Sequence, residues 1–155
     1  MDASHLIAMA IVCAPSVHPG TTAAIVATES SSNPFAIGVV KGALERQPAT
    51  RGEALATISA LESAGFDFSV GLAQINRRNF GRLGLTAATA LEPCRNLAAM
   101  QTVLEECYVR ARRAQKSEPV ALRSALSCYY SGNFATGFRH GYVARVVNAA
   151  RRTAL

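Results

Sequence analysis

The 155-residue sequence contains no tryptophan, and aromatic residues of all kinds make up only 6% of it. Charged residues are also few, at 17%, while half of the residues are hydrophobic, a composition that argues against disorder. The sequence has no run of eighteen apolar residues, which argues against a membrane-spanning helix. Alanine supplies much of the apolar share, which favours closely packed helices over a β-sandwich. We therefore predict one domain over residues 1–155, of α+β class and mostly α-helical, with a small β or loop region.

No export signal is visible in the sequence. Residues 6–12 (LIAMAIV) form only a short apolar run, and the preceding MDASH carries an acid and no Lys or Arg. Val12 stands before Cys13 where a lipid-attachment site has a small residue. We interpret this segment as the first helix of the domain and predict no stable membrane insertion.

The net charge of +6 and the pI near 9.6 favour an anionic partner. The basic residues are scattered along the chain and form no stripe interleaved with aromatic residues. A solvated positive surface explains them at least as well as a specific site does. Because there is also no groove-reading or phosphate-loop motif, we do not predict a nucleic-acid partner.

Apolar periodicity and helix-end signals predict helices over 19–29, 51–64, 96–113, 119–129 and 141–152. The first of these is expected to begin at Thr21 or Thr22, and Gly65 is expected to end the second. Residues 35–47 alternate poorly and hold two glycines, which suggests a small hairpin or an extended loop. Residues 66–85 are punctuated by glycine and are predicted to be irregular, with one short turn of helix.

Glu29 is the single acid in residues 23–40, and it stands where Ser-Ser-Ser-Asn-Pro ends the predicted helix. The negative end of the helix dipole and apolar neighbours such as Ile25 both disfavour the charged carboxylate. Such a position suits a protonated glutamic acid that acts as a general acid near neutral pH. An exposed residue at a helix end is the alternative, and it is the commoner environment for a glutamate.

Three short polar breaks between the apolar helices stand in a recognisable order. They are ES-x-x-NP-x-A (29–36), GLAQIN (71–76) and ALSCYYSGN (125–133). With these motifs the chain resembles the lytic transglycosylases of the soluble-transglycosylase, goose-type-lysozyme-like superfamily, and it is most similar to the members that accompany type IV secretion systems. The resemblance covers about residues 15 to 147 and implies a lysozyme-like domain.

The resemblance identifies Glu29 as the catalytic residue. Tyr129 matches the tyrosine that stands near the catalytic acid in this family and orients it. The full set of residues implied to bind substrate is Ser30, Gly71, Leu72, Ala73, Gln74, Asn76, Tyr129 and Asn133. The sequence departs from the family pattern at Ala73, where Met is common, and at Tyr130, where Asn is common.

Four cysteines, at positions 13, 94, 107 and 128, are compatible with buried thiols or with two disulfides. Cys94 and Cys107 flank a helical pattern that separates them by about 20 Å. A disulfide needs Cα atoms roughly 4.4 to 6.8 Å apart, which argues against that pair. The resemblance implies an oxidising compartment outside the cytoplasmic membrane, where disulfides persist. With it we predict Cys13–Cys94 and Cys107–Cys128, because the helices that carry Cys107 and Cys128 are joined by a short turn.

The implied reaction cleaves the β-1,4 bond between N-acetylmuramic acid and N-acetylglucosamine and forms a 1,6-anhydro ring, without cofactor or metal. Such a periplasmic enzyme would open peptidoglycan for a type IV secretion or conjugation apparatus, with glycan strands and secretion components as partners. Asp67 is the nearest candidate for a second acid, although a loop-capping role is the better interpretation. A hydrolysing lysozyme-type muramidase and a non-catalytic wall-binding assembly module are the alternatives.

Overall fold

The computed structural model describes residues 1–114 and 117–153, which form eight α-helices, one 3₁₀ turn and three short strands. In chain order the elements are α1 (Ala3–Cys13), α2 (Pro19–Ser30), β1 (Ile37–Val39), α3 (Arg51–Ser63), β2 (Phe68–Val70), β3 (Ile75–Asn76), the 3₁₀ turn (Arg77–Asn79), α4 (Ala87–Ala90), α5 (Pro93–Ala114), α6 (Glu118–Ser131), α7 (Thr136–Arg139) and α8 (Tyr142–Thr153). The mostly α-helical α+β class is confirmed.

Helix α2 lies at the centre of the molecule. It is buried on most of its circumference from Thr22 to Val26, and it packs against α1 on one side and α8 on another. A helix that is apolar nearly all round has to be enclosed by other elements. Its small alanines allow those neighbours to approach closely, as the alanine-rich composition suggested.

The start of α2 differs from the sequence prediction. The N-cap is His18, whose ring nitrogen accepts a hydrogen bond from the Gly20 amide at 3.1 Å, and Pro19 is the first helical residue. Thr21 and Thr22 therefore lie inside the helix rather than at its cap. Proline favours the first turn because it has no amide hydrogen that would be left unpaired there. The predicted end of α3 is confirmed, with Gly65 in the left-handed conformation (φ 76°) directly after the C-cap.

The β region was only partly predicted. Strand β1 lies within residues 35–47, but it pairs with β2 across the intervening α3 and forms no local hairpin. The segment 66–85, predicted to be irregular with one short turn of helix, contributes both β2 and β3 to this antiparallel sheet, and its 3₁₀ turn agrees with the predicted turn of helix. Strands of two or three residues are too short to show an alternating pattern. Helices α4 and α7, of four residues each, escaped prediction for the same reason.

Both predicted disulfides are confirmed. Cys13–Cys94 joins the end of α1 to the start of α5, with Cα atoms 5.2 Å apart. Cys107–Cys128 joins the middle of α5 to α6, with Cα atoms 5.7 Å apart. Helix α5 is therefore tied covalently to a neighbour at two points along its length. Over the described ranges, no helix is both long and apolar enough to cross a membrane.

We predict that removing the Cys13–Cys94 bridge, by replacing both cysteines with alanine, lowers the free energy of unfolding by about 2 to 5 kcal/mol. The bridge closes a separation of 81 residues, so its loss returns much conformational freedom to the unfolded chain. Urea unfolding measures the change. Thiol labelling of the denatured, unreduced protein from an oxidising compartment is the control, and four reactive thiols there would contradict the pairing.

Candidate active site

A cleft of about 650 Å³ separates the three-stranded sheet from the helices α5 and α6. Its lining residues come from the end of α2, from all three strands, from the 3₁₀ turn and from both of these helices. They are Glu29, Gly38, Val39, Val40, Ser69, Gln74, Ile75, Asn76, Arg78, Asn79, Val103, Tyr129, Tyr130 and Ser131. Most of them are neutral and polar or small, which suits a hydroxyl-rich ligand better than an apolar one.

Glu29 reaches the cleft from the last turn of α2. The helix ends because Ser31 and Ser32 both adopt left-handed backbone angles (φ 51° and 64°), ahead of Pro34. Asn33 then folds the chain back, since its side-chain oxygen accepts a hydrogen bond from the Phe35 amide at 2.9 Å. The serine-rich break thus places a carboxyl group at the wall of the cleft.

The Glu29 carboxyl is poised between its two protonation states near neutral pH. Burial raises its pKa from 4.5 to about 7, while the nearby hydroxyl of Tyr142 and the positive charge of Arg145 oppose the rise. Desolvation, one of the two causes that the sequence suggested, is the largest influence on this pKa. A group with such a pKa can donate a proton and take one back at the same pH.

Two tyrosines stand beside Glu29. Burial and the charge of Glu29 both raise the pKa of Tyr129 and of Tyr142, so that both phenols stay protonated. The Tyr142 hydroxyl is buried, and the polar group that it interacts with is the Glu29 carboxyl. Tyr142 was missed by sequence reasoning, because it begins a basic amphipathic helix in which an aromatic residue gives no sign of its surroundings.

Tyr130, where the family pattern has Asn, also lines the cleft. Its ring stacks on that of Tyr142, with centroids 4.7 Å apart and planes inclined by 15°. Its hydroxyl shares a hydrogen bond of 2.9 Å with the Nδ1 atom of His140. Tyr130 therefore covers the buried Tyr142 on the cleft side.

The GLAQ turn is held by a residue far away in sequence, Asn96 of α5. The buried Asn96 amide accepts a hydrogen bond from the Ala73 amide at 2.8 Å and donates to the carbonyls of Val70 (3.0 Å) and Ala90 (2.8 Å). Gly71, with φ 82°, leaves room for this amide, since a Cβ atom there would lie 2.2 Å from its nitrogen. This turn is therefore fixed by long-range hydrogen bonds as well as by its own glycine.

Gln74 and Tyr129 are oriented by backbone carbonyls around this turn. Gln74 itself has a left-handed backbone (φ 52°), and its side-chain nitrogen donates to the carbonyls of Ala36 (3.0 Å) and Gly71 (3.1 Å). The Tyr129 hydroxyl donates to the Ala73 carbonyl at 2.6 Å. In this geometry Tyr129 anchors α6 to the turn, rather than giving its proton to Glu29.

The structure brings four of the residues predicted for the site to the cleft, namely Glu29, Gln74, Asn76 and Tyr129. The others do not line it. Leu72 and Ala73 are fully buried, and Gly71 is buried beneath the turn. Ser30 lies on the buried side of α2, and its hydroxyl donates to the Val26 carbonyl of the same helix at 3.1 Å.

Asn133 is exposed and has a local role. Its side-chain oxygen accepts hydrogen bonds from the amides of Ala135 (2.9 Å) and Thr136 (2.8 Å), at the start of α7. Such bonds to the backbone are the usual use of asparagine before a short helix. In this structure Asn133 shapes the connection that leads to α7 and does not line the cleft.

Asp67, the candidate second acid, does not line the cleft either. One of its oxygens accepts a hydrogen bond from the Asn76 side chain at 3.1 Å, and the other lies 3.3 Å from a guanidinium nitrogen of Arg78. These contacts agree with the loop-stabilising interpretation. Among residues 1–114 and 117–153, no group of three or more His, Cys, Asp or Glu side chains is placed to hold a metal ion.

Comparison with known proteins gives one family and several relatives. The family model "Transglycosylase SLT domain" matches residues 7–146. The "Type IV secretion system protein virB1" of Brucella abortus (strain 2308) is 49% identical over 144 residues, which are 89% of this chain and 60% of that protein. "Protein virB1" of Agrobacterium fabrum is 38% identical over 140 residues, which are 90% of this chain and 57% of that protein. The chain thus spans about 60% of the length of these relatives. No solved structure matches it.

We predict that Asn96→Ala lowers the free energy of unfolding by about 3 kcal/mol or more. The reason is that the Ala73 amide and the carbonyls of Val70 and Ala90 all lose the side chain that is their buried hydrogen-bond partner. Asn96→Asp should also be destabilising, since an ionised carboxylate accepts from Ala73 but cannot donate. Urea unfolding measures both. Asn148→Ala, at an exposed position of α8, is the matched control. Equal stability of the Asn96 and Asn148 variants would contradict the prediction.

We also predict that Glu29→Gln is more stable than the parent protein above neutral pH and not below about pH 4. The pKa of Glu29 is about 4.5 in the unfolded state and about 7 in the folded state, so the unfolded state loses the Glu29 proton at a lower pH. The parent protein therefore loses stability as the pH rises from about 4.5 to about 7. With allowance for solvent screening, the advantage of the glutamine should grow to the order of 2 kcal/mol. Urea unfolding across this pH range measures it, with the exposed Glu62→Gln as control. A constant difference at all pH values would exclude a raised pKa.

Proposed function

This chain belongs to the family of SLT transglycosylase domains, and on that premise we propose that it is a peptidoglycan lytic transglycosylase in which Glu29 is both the acid and the base. The observation that carries the proposal is the carboxyl group itself. Its pKa of about 7 lets one residue serve in both roles. Among the described residues that line the cleft, Glu29 is also the single carboxylate, since Asp67 is engaged elsewhere.

The reaction needs no second protein carboxylate if the substrate assists. Glu29 first donates its proton to the glycosidic oxygen between N-acetylmuramic acid and N-acetylglucosamine, and the bond from that oxygen to the anomeric carbon breaks. The acetamido oxygen of the muramyl residue stabilises the positive anomeric carbon. The Glu29 carboxylate then removes the proton of the muramyl 6-hydroxyl, whose oxygen bonds to that carbon and closes the 1,6-anhydro ring. No water is consumed, and Glu29 ends protonated as it began.

The neighbours of Glu29 suit this cycle. Tyr142 and Arg145 favour the carboxylate that forms after the first proton transfer, while burial favours the acid that starts the reaction. Tyr129 holds the GLAQ turn against α6 and so places Gln74 and Asn76 on the opposite wall. The Gln74 nitrogen already donates to two backbone carbonyls, so its side-chain oxygen is the group that can accept a hydrogen bond from a sugar hydroxyl.

The relatives bear on where such an activity would be used. The Brucella protein is named as a type IV secretion system protein, and this chain shares 49% of its residues over most of its own length. We therefore propose that the domain acts in the periplasm and opens the wall locally for a secretion or conjugation apparatus. Its partners would be glycan strands and components of that apparatus. Two disulfides are consistent with an oxidising compartment.

A digest of purified sacculi, analysed by mass spectrometry, tests the reaction. We expect muropeptides that end in 1,6-anhydro-muramic acid, each lighter by one water than the product of a lysozyme. Reducing-end muramic acid as the main product would replace the proposal with a hydrolase. Release of no fragment at all would favour a wall-binding assembly module.

Two variants assign the chemistry to one acid. Glu29→Gln keeps the size of the side chain but cannot donate and retake a proton, so turnover should fall by at least about 10²- to 10⁴-fold while folding is retained. Asp67→Asn should keep most of the activity, because Asp67 lies outside the cleft lining. An active Glu29→Gln variant would refute the mechanism. A folded but inactive Asp67→Asn variant would indicate a second carboxylate.

A further inference from the structure

Arg78 introduces a positive charge into a cleft that is otherwise nearly neutral. Of the described residues that line the cleft, Glu29 and Arg78 are the two that carry a charge. Arg78 belongs to the 3₁₀ turn after β3, on the sheet side, and 77% of its side chain is exposed. Glu29 enters from the helical side, so the mechanism proposed above makes no use of this guanidinium.

The segment 77–82 holds three arginines, and two of them are engaged away from the cleft. Arg77 lies over the ring of Phe68, 5.6 Å from its centroid, and donates to the Phe66 carbonyl at 2.8 Å. Arg82 makes two hydrogen bonds of 2.9 Å to the carboxylate of Glu106. Neither residue lines the cleft. Arg78 is thus the member of this group that lines the cleft.

Arg78 is held in place and keeps donors free for a ligand. Its backbone amide donates to the Asn76 side chain at 3.0 Å, and one guanidinium nitrogen lies 3.3 Å from the partly buried Asp67 carboxylate. A guanidinium has five N–H donors arranged in a planar fork, which matches a carboxylate in two-point contact. A single ion pair at one nitrogen leaves most of that fork without a protein partner, in a residue that lines the cleft.

We propose that Arg78 binds a carboxylate carried by the lactyl side group of a muramyl residue, so that the cleft distinguishes muramyl from N-acetylglucosaminyl units by charge. This rests on the proposed function, since it takes peptidoglycan as the ligand. The two sugars alternate along a glycan strand and differ by this side group, which ends in a free carboxylate or in a peptide that bears carboxylates. A neutral sugar offers the guanidinium no such partner, so Arg78 sets the register of the strand over Glu29.

The test measures binding without turnover, by calorimetry on the Glu29→Gln protein at low salt. Three probes share a tetrasaccharide length: a neutral N-acetylglucosamine oligomer, a peptide-free muramyl glycan with free lactyl carboxylates, and the same glycan with its stem peptides. Adding Arg78→Gln should weaken binding of an anionic probe by about two- to fivefold and leave the neutral oligomer unchanged. The anionic probe that loses affinity identifies the carboxylate. Added salt should remove the difference.

Arg82→Gln is the matched control, because it also removes one positive charge and one ion pair from the same segment but lies outside the cleft lining. Its binding should equal that of the Glu29→Gln parent for all three probes. The proposal would be overturned if Arg78→Gln bound both anionic probes as tightly as its parent does. It would also be overturned if Arg78→Gln weakened binding of the neutral oligomer equally, or if Arg82→Gln weakened binding of the anionic probes equally. Because no cleavage is measured, these results stand apart from those of the wall digest.

Discussion

The cleft depends on one buried side chain, the amide of Asn96. Through three hydrogen bonds it joins α5 to the end of β2, to the GLAQ turn and to the end of α4. A buried amide is stabilising only when its donors and acceptor are all used, and here the backbone supplies every partner. With the turn fixed, the Ala73 carbonyl stands where the Tyr129 hydroxyl reaches it, and α6 is located relative to the sheet. The two walls of the cleft are therefore positioned by one chain of polar contacts.

The electrostatics of Glu29 follow from the same packing. Helix α2 is enclosed because its surface is apolar, and its last turn shares that enclosure before the serine-rich break exposes one edge to the cleft. Burial raises the pKa of the carboxyl, Tyr142 and Arg145 of α8 lower it, and the balance is a pKa of about 7. The protonation of Glu29 near neutral pH thus depends on two opposed effects, burial in the core and the polar and charged side chains of the neighbouring helix α8.

The sequence was most informative where a signal is local. The long helices α3, α5 and α6 follow from apolar periodicity, and the end of α2 follows from Pro34 and its serines. Of the residues that line the candidate site, the sequence motifs predicted Glu29, Gln74, Asn76 and Tyr129. Asn96 and Tyr142 carry no local signal, because their partners lie on other elements. Strands of two or three residues likewise acquire their identity only by pairing, β1 with β2 across α3 and β2 with β3 next to it in the chain.

The Cys13–Cys94 bridge also bears on how the domain tolerates a cut in its backbone. It encloses α2, the sheet and the exposed stretch from residue 40 to residue 47 between β1 and α3, which is the kind of segment that proteases attack. A single cleavage in that stretch would yield two fragments that stay covalently joined and carry the parts of the cleft between them. The nicked molecule would migrate as one species until reduced. Two bonds of different chemistry, a peptide bond and a disulfide, therefore have to be broken before the pieces separate.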